Sequence, residues 1–104
     1  RICWIALTPC GEEAPGLEWV DSSLDHLLRP AELTEEAVGS RFPPGLFVHP
    51  CLRPGDAILF DGLLLHRTHL TSAMQGARAS LELRFFPGGG VPPRIAGDRF
   101  ARLC

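Results

Sequence analysis

The sequence predicts a mainly β domain, a sandwich or barrel of the jelly-roll kind with one short helical insertion around residues 22 to 40. Three observations carry this. Ten prolines and eleven glycines in 104 residues enforce frequent turns and short elements. Several short apolar runs are separated by those turns at the spacing of strands. One of them, Ser80 to Phe86, alternates cleanly, with Leu81, Leu83 and Phe85 on one face and Ser80, Glu82, Arg84 and Phe86 on the other.

In chain order, Arg1 to Thr8 is rich in Ile, Trp and Leu and is stopped by Pro9 and Gly11, which makes it a strand and a turn. GEEAPG is a polar loop, and Leu17 to Val20 is a second short strand. DSSLDHLL carries an S-x-x-D helix-start pattern at Ser22, and PAELTEEAVGS adds a further helical turn or two that Gly39 would end. RFPPG breaks the helix. LFVHP is then a brief strand terminated by Pro50. Pro54-Gly55-Asp56 sets a tight turn in which Asp56 can bond back to the turn's amides. Ala57 to Phe60 and Leu63 to His66 follow as strands joined by a hairpin-type Asp61-Gly62 turn. His69 to Ala77 is a loop, and residues 88 to 104 form a Gly/Pro-rich tail.

Length and composition fit a single domain segment over residues 1 to 104. With 45% apolar residues, 21% charged and a net charge of −2, nothing favours nucleic acid or a membrane surface. No apolar run approaches the ~20 residues that cross a bilayer. The start RICWIALTPC has neither an initiator Met nor the features of a secretory signal, so the chain reads as a piece of something longer. Cys3, Cys10, Cys51 and Cys104 are scattered without a framework spacing, which predicts reduced thiols and an intracellular, cytoplasmic setting.

The candidate chemistry starts at His66, which closes an apolar run and is followed by Arg67, Thr68 and His69. Taken alone, a histidine there is as readily structural as ligating. Twelve residues on, Arg78 and Ser80 lie on one strand face. A planar guanidinium and a hydroxyl pointing the same way suit a carboxylate, held by two parallel bonds and a third from the hydroxyl. Glu82 and Arg84, further along that face, read as an ion pair. His66-x-x-His69 resembles a zinc half-site only in spacing, because residues three apart on a strand face opposite ways.

PGDAILFDGLLLHRTH followed by RASLELRFF resembles the C-terminal half of the phytanoyl-CoA dioxygenase family, Fe(II)- and 2-oxoglutarate-dependent oxygenases on a double-stranded β-helix. WIALTPCGEEAPGLEWV is similar to the family's W-x-x-L segment, polar loop and G-x-L strand. The resemblance covers roughly residues 1 to 87. It implies that the chain is the C-terminal part of a catalytic domain hydroxylating a small organic substrate, with Fe(II) as metal and 2-oxoglutarate as cosubstrate. His66 then corresponds to the last iron ligand, and Arg78, supported by Ser80, to the site for the distal carboxylate of 2-oxoglutarate. Thr68 and Trp4 correspond to residues lining the cosubstrate pocket, although a tryptophan also commonly anchors packing.

The family's iron site is a facial triad in which a His-x-Asp or His-x-Glu supplies two ligands. No such pair occurs in the sequence. The resemblance places it ahead of Arg1, so the segment alone is expected to hold Fe(II) weakly and not to turn over. The alternative is a catalytically inactive jelly-roll or cupin-like domain that binds a metal or small molecule. Residues 21 to 50, inserted between strands, would border the substrate mouth.

Overall fold

Strand alternation and turn chemistry build two small antiparallel sheets in the computed structural model, which describes residues 1 to 87 and Gly90. The expected tail therefore lies, apart from Gly90, outside the described residues, as does Cys104. The strands are β1 (Ile2–Ala6), β2 (Gly16–Val20), β3 (Phe47–Val48), β4 (Ala57–Phe60), β5 (His66–His69) and β6 (Ser80–Arg84). The first sheet has the order β4-β1-β6 and the second β3-β2-β5. The chain is mainly β, as its turn density predicts.

The chain passes back and forth between the sheets, and this corrects one expectation. Asp61-Gly62 does not close a hairpin between paired strands. β4 pairs with β1, setting Phe60 opposite Ile2, whereas β5 pairs with β2, setting His66 opposite Trp19. Asp61 still makes a turn, its carboxylate accepting a 2.9 Å bond from the Leu63 amide. The chain uses that turn to cross from one sheet to the other, so Leu63 to Leu65 is connecting chain and the strand begins at His66. His69 is accordingly the last residue of β5 and not a loop residue. Which strand receives a pair is decided by the apolar faces that must be covered, and a turn signal carries no information about that.

Those faces meet in one cluster. Trp4, Ala6 and Phe60 from the first sheet pack with Leu17 from the second and with Cys10, flanked by Ile2, Trp19, Ile58 and Leu64. Trp4 is 5% exposed; burying an indole of this kind contributes on the order of 4–6 kcal/mol as an upper bound. The register sets Glu82 opposite Trp4 and Ser80 opposite Ala6, so the polar face of β6 is the inward one. Its apolar face, with Leu81 and Leu83, lies outward and exposed, as does Leu59 on β4. Glu82 and Arg84 form the expected ion pair at 2.7 Å.

The helical insertion is shorter than expected. Residues 22 to 28 are not helical; the Ser22 amide instead donates to the Val20 carbonyl at 2.9 Å. Pro30 biases Arg29 toward extended backbone, leaving too few residues before it for a stable nucleus. A single 3-10 turn follows at Pro30–Glu32, and α1 spans Glu35–Arg41. Thr34 caps α1, its hydroxyl accepting from the Ala37 amide at 3.1 Å. Glu35 and Glu36 in its first turn and Arg41 in its last complement the helix dipole. Gly39 lies inside the helix, which ends at the extended Phe42 ahead of Pro43-Pro44.

The Pro54-Gly55-Asp56 turn forms as the residues dictate. Gly55 has φ +93°, and the Asp56 carboxylate accepts from the Arg53 amide at 2.8 Å. Gly11, at φ +101°, lets the β1–β2 connection pass close against the Pro50 carbonyl. This holds the Cys10 and Leu52 backbones in a reciprocal pair of hydrogen bonds at 3.1 and 2.9 Å.

Candidate functional site

The residues that carry the candidate chemistry lie on the strand faces in register with the core, with His66 and Thr68 exposed and Arg78 and Ser80 half-buried. Strand β5 alternates, so His66 and Thr68, opposite Trp19 and Leu17, share the inward face of the second sheet. The His66 ring leans on Phe60 of the first sheet, centroid to centroid 4.8 Å at 60°. Its Nδ1 is 2.9 Å from the Leu64 carbonyl oxygen. A carbonyl only accepts, so the bond places the ring proton on Nδ1 and leaves the Nε2 lone pair open. Histidines that ligate metals are oriented by this kind of bond from the second ring nitrogen to a carbonyl or carboxylate.

On the facing sheet, Arg78 precedes β6 and is half-buried. Its guanidinium carbon lies 5.4 Å from the Trp4 ring centroid, and Nη1 donates to the Gly16 carbonyl at 2.9 Å. Among the described residues no carboxylate pairs with it. Ser80 opens β6 on the same face, opposite Ala6 and half-buried. Trp4 is thus both a core aromatic and the surface on which Arg78 rests.

These residues fall into two groups. His66 sits at Trp19 and Arg78 at Gly16, three positions apart along β2, which is roughly 10 Å of strand. His66 fits one position of a metal site. Among the described residues, no three His, Cys, Asp or Glu side chains are grouped to hold an ion. His69 points to the opposite face from His66 and stacks on His49, with centroids 4.3 Å apart and planes at 13°.

The outer face of the second sheet holds residues that the sequence did not single out. Glu18 is 7% exposed, and its carboxylate accepts from Arg67 Nε at 2.6 Å. Arg67 Nη1 donates to Glu35 of α1 at 2.7 Å, and the guanidinium lies 5.7 Å from the Phe47 centroid. The bonds to Glu18 and Glu35 hold Arg67 above its ordinary pKa. Only the β2–β5 register, Glu18 opposite Arg67, brings these charges together. Beneath α1 lies a cavity of about 320 Å³ lined by Val20, Leu33, Val38 and Phe47 together with these charges, and His66 reaches its edge.

A second cavity, about 370 Å³, runs from Ser22, Ser23 and Leu24 to Phe60 and Leu64, beside the ring on which His66 leans. The insertion between strands thus borders both hollows nearest His66, and Arg78 lines neither. Cys3, Cys10 and Cys51 are free thiols, and burial pushes the Cys10 thiol up. No helix among the described residues is long and apolar enough to cross a membrane. The sequence matches no family model, no curated protein and no solved structure closely enough to show a relationship.

Proposed function

We propose that this chain forms part of a non-haem Fe(II)- and 2-oxoglutarate-dependent dioxygenase that hydroxylates a small organic substrate, with two further iron ligands supplied by residues outside it. The observation that carries the reading is the His66 ring. It leans on Phe60, donates from Nδ1 to the Leu64 carbonyl and presents Nε2, while Arg78, bonded to the Gly16 carbonyl three β2 positions from Trp19, has no carboxylate partner among the described residues. The strand exchange between two antiparallel sheets supports a double-stranded β-helix. The three free thiols support a reducing, cytoplasmic setting.

When bound, iron with 2-oxoglutarate supplies the oxidising chemistry. His66 Nε2 would hold the metal. Arg78 would take the distal carboxylate of the cosubstrate, with its remaining N–H groups free to donate and the Ser80 hydroxyl adding a further bond. Trp4 supports the guanidinium from below through its π face. Thr68, next inward residue after His66 on β5, lines the space between them.

The experiment is succinate release by the gene's whole product, dependent on both Fe(II) and 2-oxoglutarate. Arg78→Leu is expected to raise the 2-oxoglutarate requirement at least tenfold, since a charge-assisted pair is lost. Binding of 2-oxoglutarate through Arg78 without any turnover would replace this reading with the inactive carboxylate-binding domain.

A further inference from the structure

We propose that the cavity beneath α1 is a second ligand site, on the face of the β3-β2-β5 sheet opposite Arg78, that takes a small, mainly apolar molecule bearing one ammonium group. At about 320 Å³ it lies at the lower end of the ~300–1,000 Å³ range of ligand pockets. Its floor is Val20 and Phe47 of the sheet, and its roof is Leu33 and Val38 of the insertion. Such a lining accommodates a hydrocarbon body and gives it no orientation. Orientation comes from the charged side, where Glu18 and Glu35 face a single cation, Arg67.

Two carboxylates against one guanidinium leave one unit of negative charge at the cavity. Arg67 spends two of its five N–H groups on them, Nε on Glu18 and Nη1 on Glu35. The lone pairs left over on the carboxylates can only accept, so a headgroup that neutralises their surplus charge is a donor. An ammonium donates three bonds and neutralises the surplus charge, whereas a carboxylate would meet two like charges. Glu18 gives the site a fixed anchor, because it is buried and held by Arg67 on the strand pair. Glu35 is 84% exposed at its side chain and supplies the adjustable partner on the helix.

None of these carboxylates touches Arg78 or Ser80, and His66 lines only the edge of the cavity, so the site is tested apart from the iron and 2-oxoglutarate reading. The test is titration calorimetry of the 104-residue chain with hexylammonium chloride and, separately, sodium hexanoate, in the absence of metal and 2-oxoglutarate. Hexylammonium is expected to bind and hexanoate to show no heat beyond dilution. Val38→Trp, which fills the cavity, is expected to abolish amine binding. Glu35→Gln, an exposed change that leaves the fold intact by circular dichroism, is expected to weaken it by up to about fivefold. Equal binding of the two probes, no binding of the amine, or amine binding undiminished in Val38→Trp would overturn the proposal.

Discussion

At the scale of single residues, the ring of His66 is held by two neighbours from different elements and leaves one nitrogen free. A lone imidazole holds a divalent cation weakly, so Fe(II) titrated into the 104-residue chain should show no tight stoichiometric site. A stoichiometric complex at micromolar concentrations would mean that ligands other than those named here converge on it. The thiols separate by exposure: Cys10 is 4% exposed with its thiol pushed up by burial, while Cys51 is exposed. Mass spectrometry after brief alkylation should therefore find Cys51 modified well before Cys10. Gly55 offers a plain steric contrast. A methyl there would meet open space, yet φ +93° is left-handed, so Gly55→Ala should lower unfolding free energy by about 1–2 kcal/mol in a urea titration.

At the scale of elements, α1 is tied to the sheet by side chains, with Arg67 bridging Glu35 on the helix and Glu18 on β2. Arg67→Met would leave a buried carboxylate without its cation. Because Arg67 is itself about half-exposed (48%), the cost should be about 1–3 kcal/mol, below that of a fully buried pair. The double variant with Glu18→Gln should recover part of the loss in the same urea titration. The 3-10 turn at Pro30–Glu32 has its own pH signature. The Arg29 amide bond to the Glu32 carboxylate holds that carboxyl below its ordinary value. A depressed folded pKa means the contribution is present above the unfolded value and fades as pH falls through the folded one. Protection of the Arg29 amide, taken relative to its intrinsic exchange rate at each pH, should accordingly fall on acidification, and constant protection through the carboxylate range would contradict the bond.

How far the sequence revealed these elements follows from where the information lies. Local chemistry was legible: the Pro54-Gly55-Asp56 turn, the alternation of β6 and the Glu82–Arg84 pair all depend on residues close in the chain. Long-range pairing was not. The Asp61-Gly62 turn and the apolar residues on either side read as a hairpin, but the partners of β4 and β5 are β1 and β2, far away in sequence. The Ser22 helix start failed because Pro30 ended its run too soon, while Thr34, with two glutamates behind it, capped the helix that formed. Within the candidate site, strand alternation anticipated that Arg78 and Ser80 share a side and that His66 and His69 face opposite ways. It did not anticipate Glu18 with Arg67, since only the register opposes them.

At the scale of the whole molecule, the two sheets enclose one apolar cluster and leave the outer face of the β4-β1-β6 sheet carrying Leu59, Leu81 and Leu83 in the open. β4 and β6 are also unpaired on their outer sides among the described residues. Exposed apolar faces and free edges promote association. Sedimentation of the 104-residue chain should therefore show concentration-dependent self-association that Leu59→Lys with Leu83→Glu reduces. The opposite faces of β6 and β5 carry Ser80, Glu82, Arg84, Thr68 and His66 in register with Ala6, Trp4, Ile2, Leu17 and Trp19, and all of them but Ser80 stay exposed.

The most direct measurement is succinate formed from 2-oxoglutarate in the presence of Fe(II) by the gene's whole product, wild type beside His66→Ala. If His66 holds the metal, the wild type releases succinate only when both are supplied, and His66→Ala loses at least about 100-fold of it while keeping the wild-type circular dichroism spectrum. Undiminished release in His66→Ala, or no release by the wild type, would contradict the assignment.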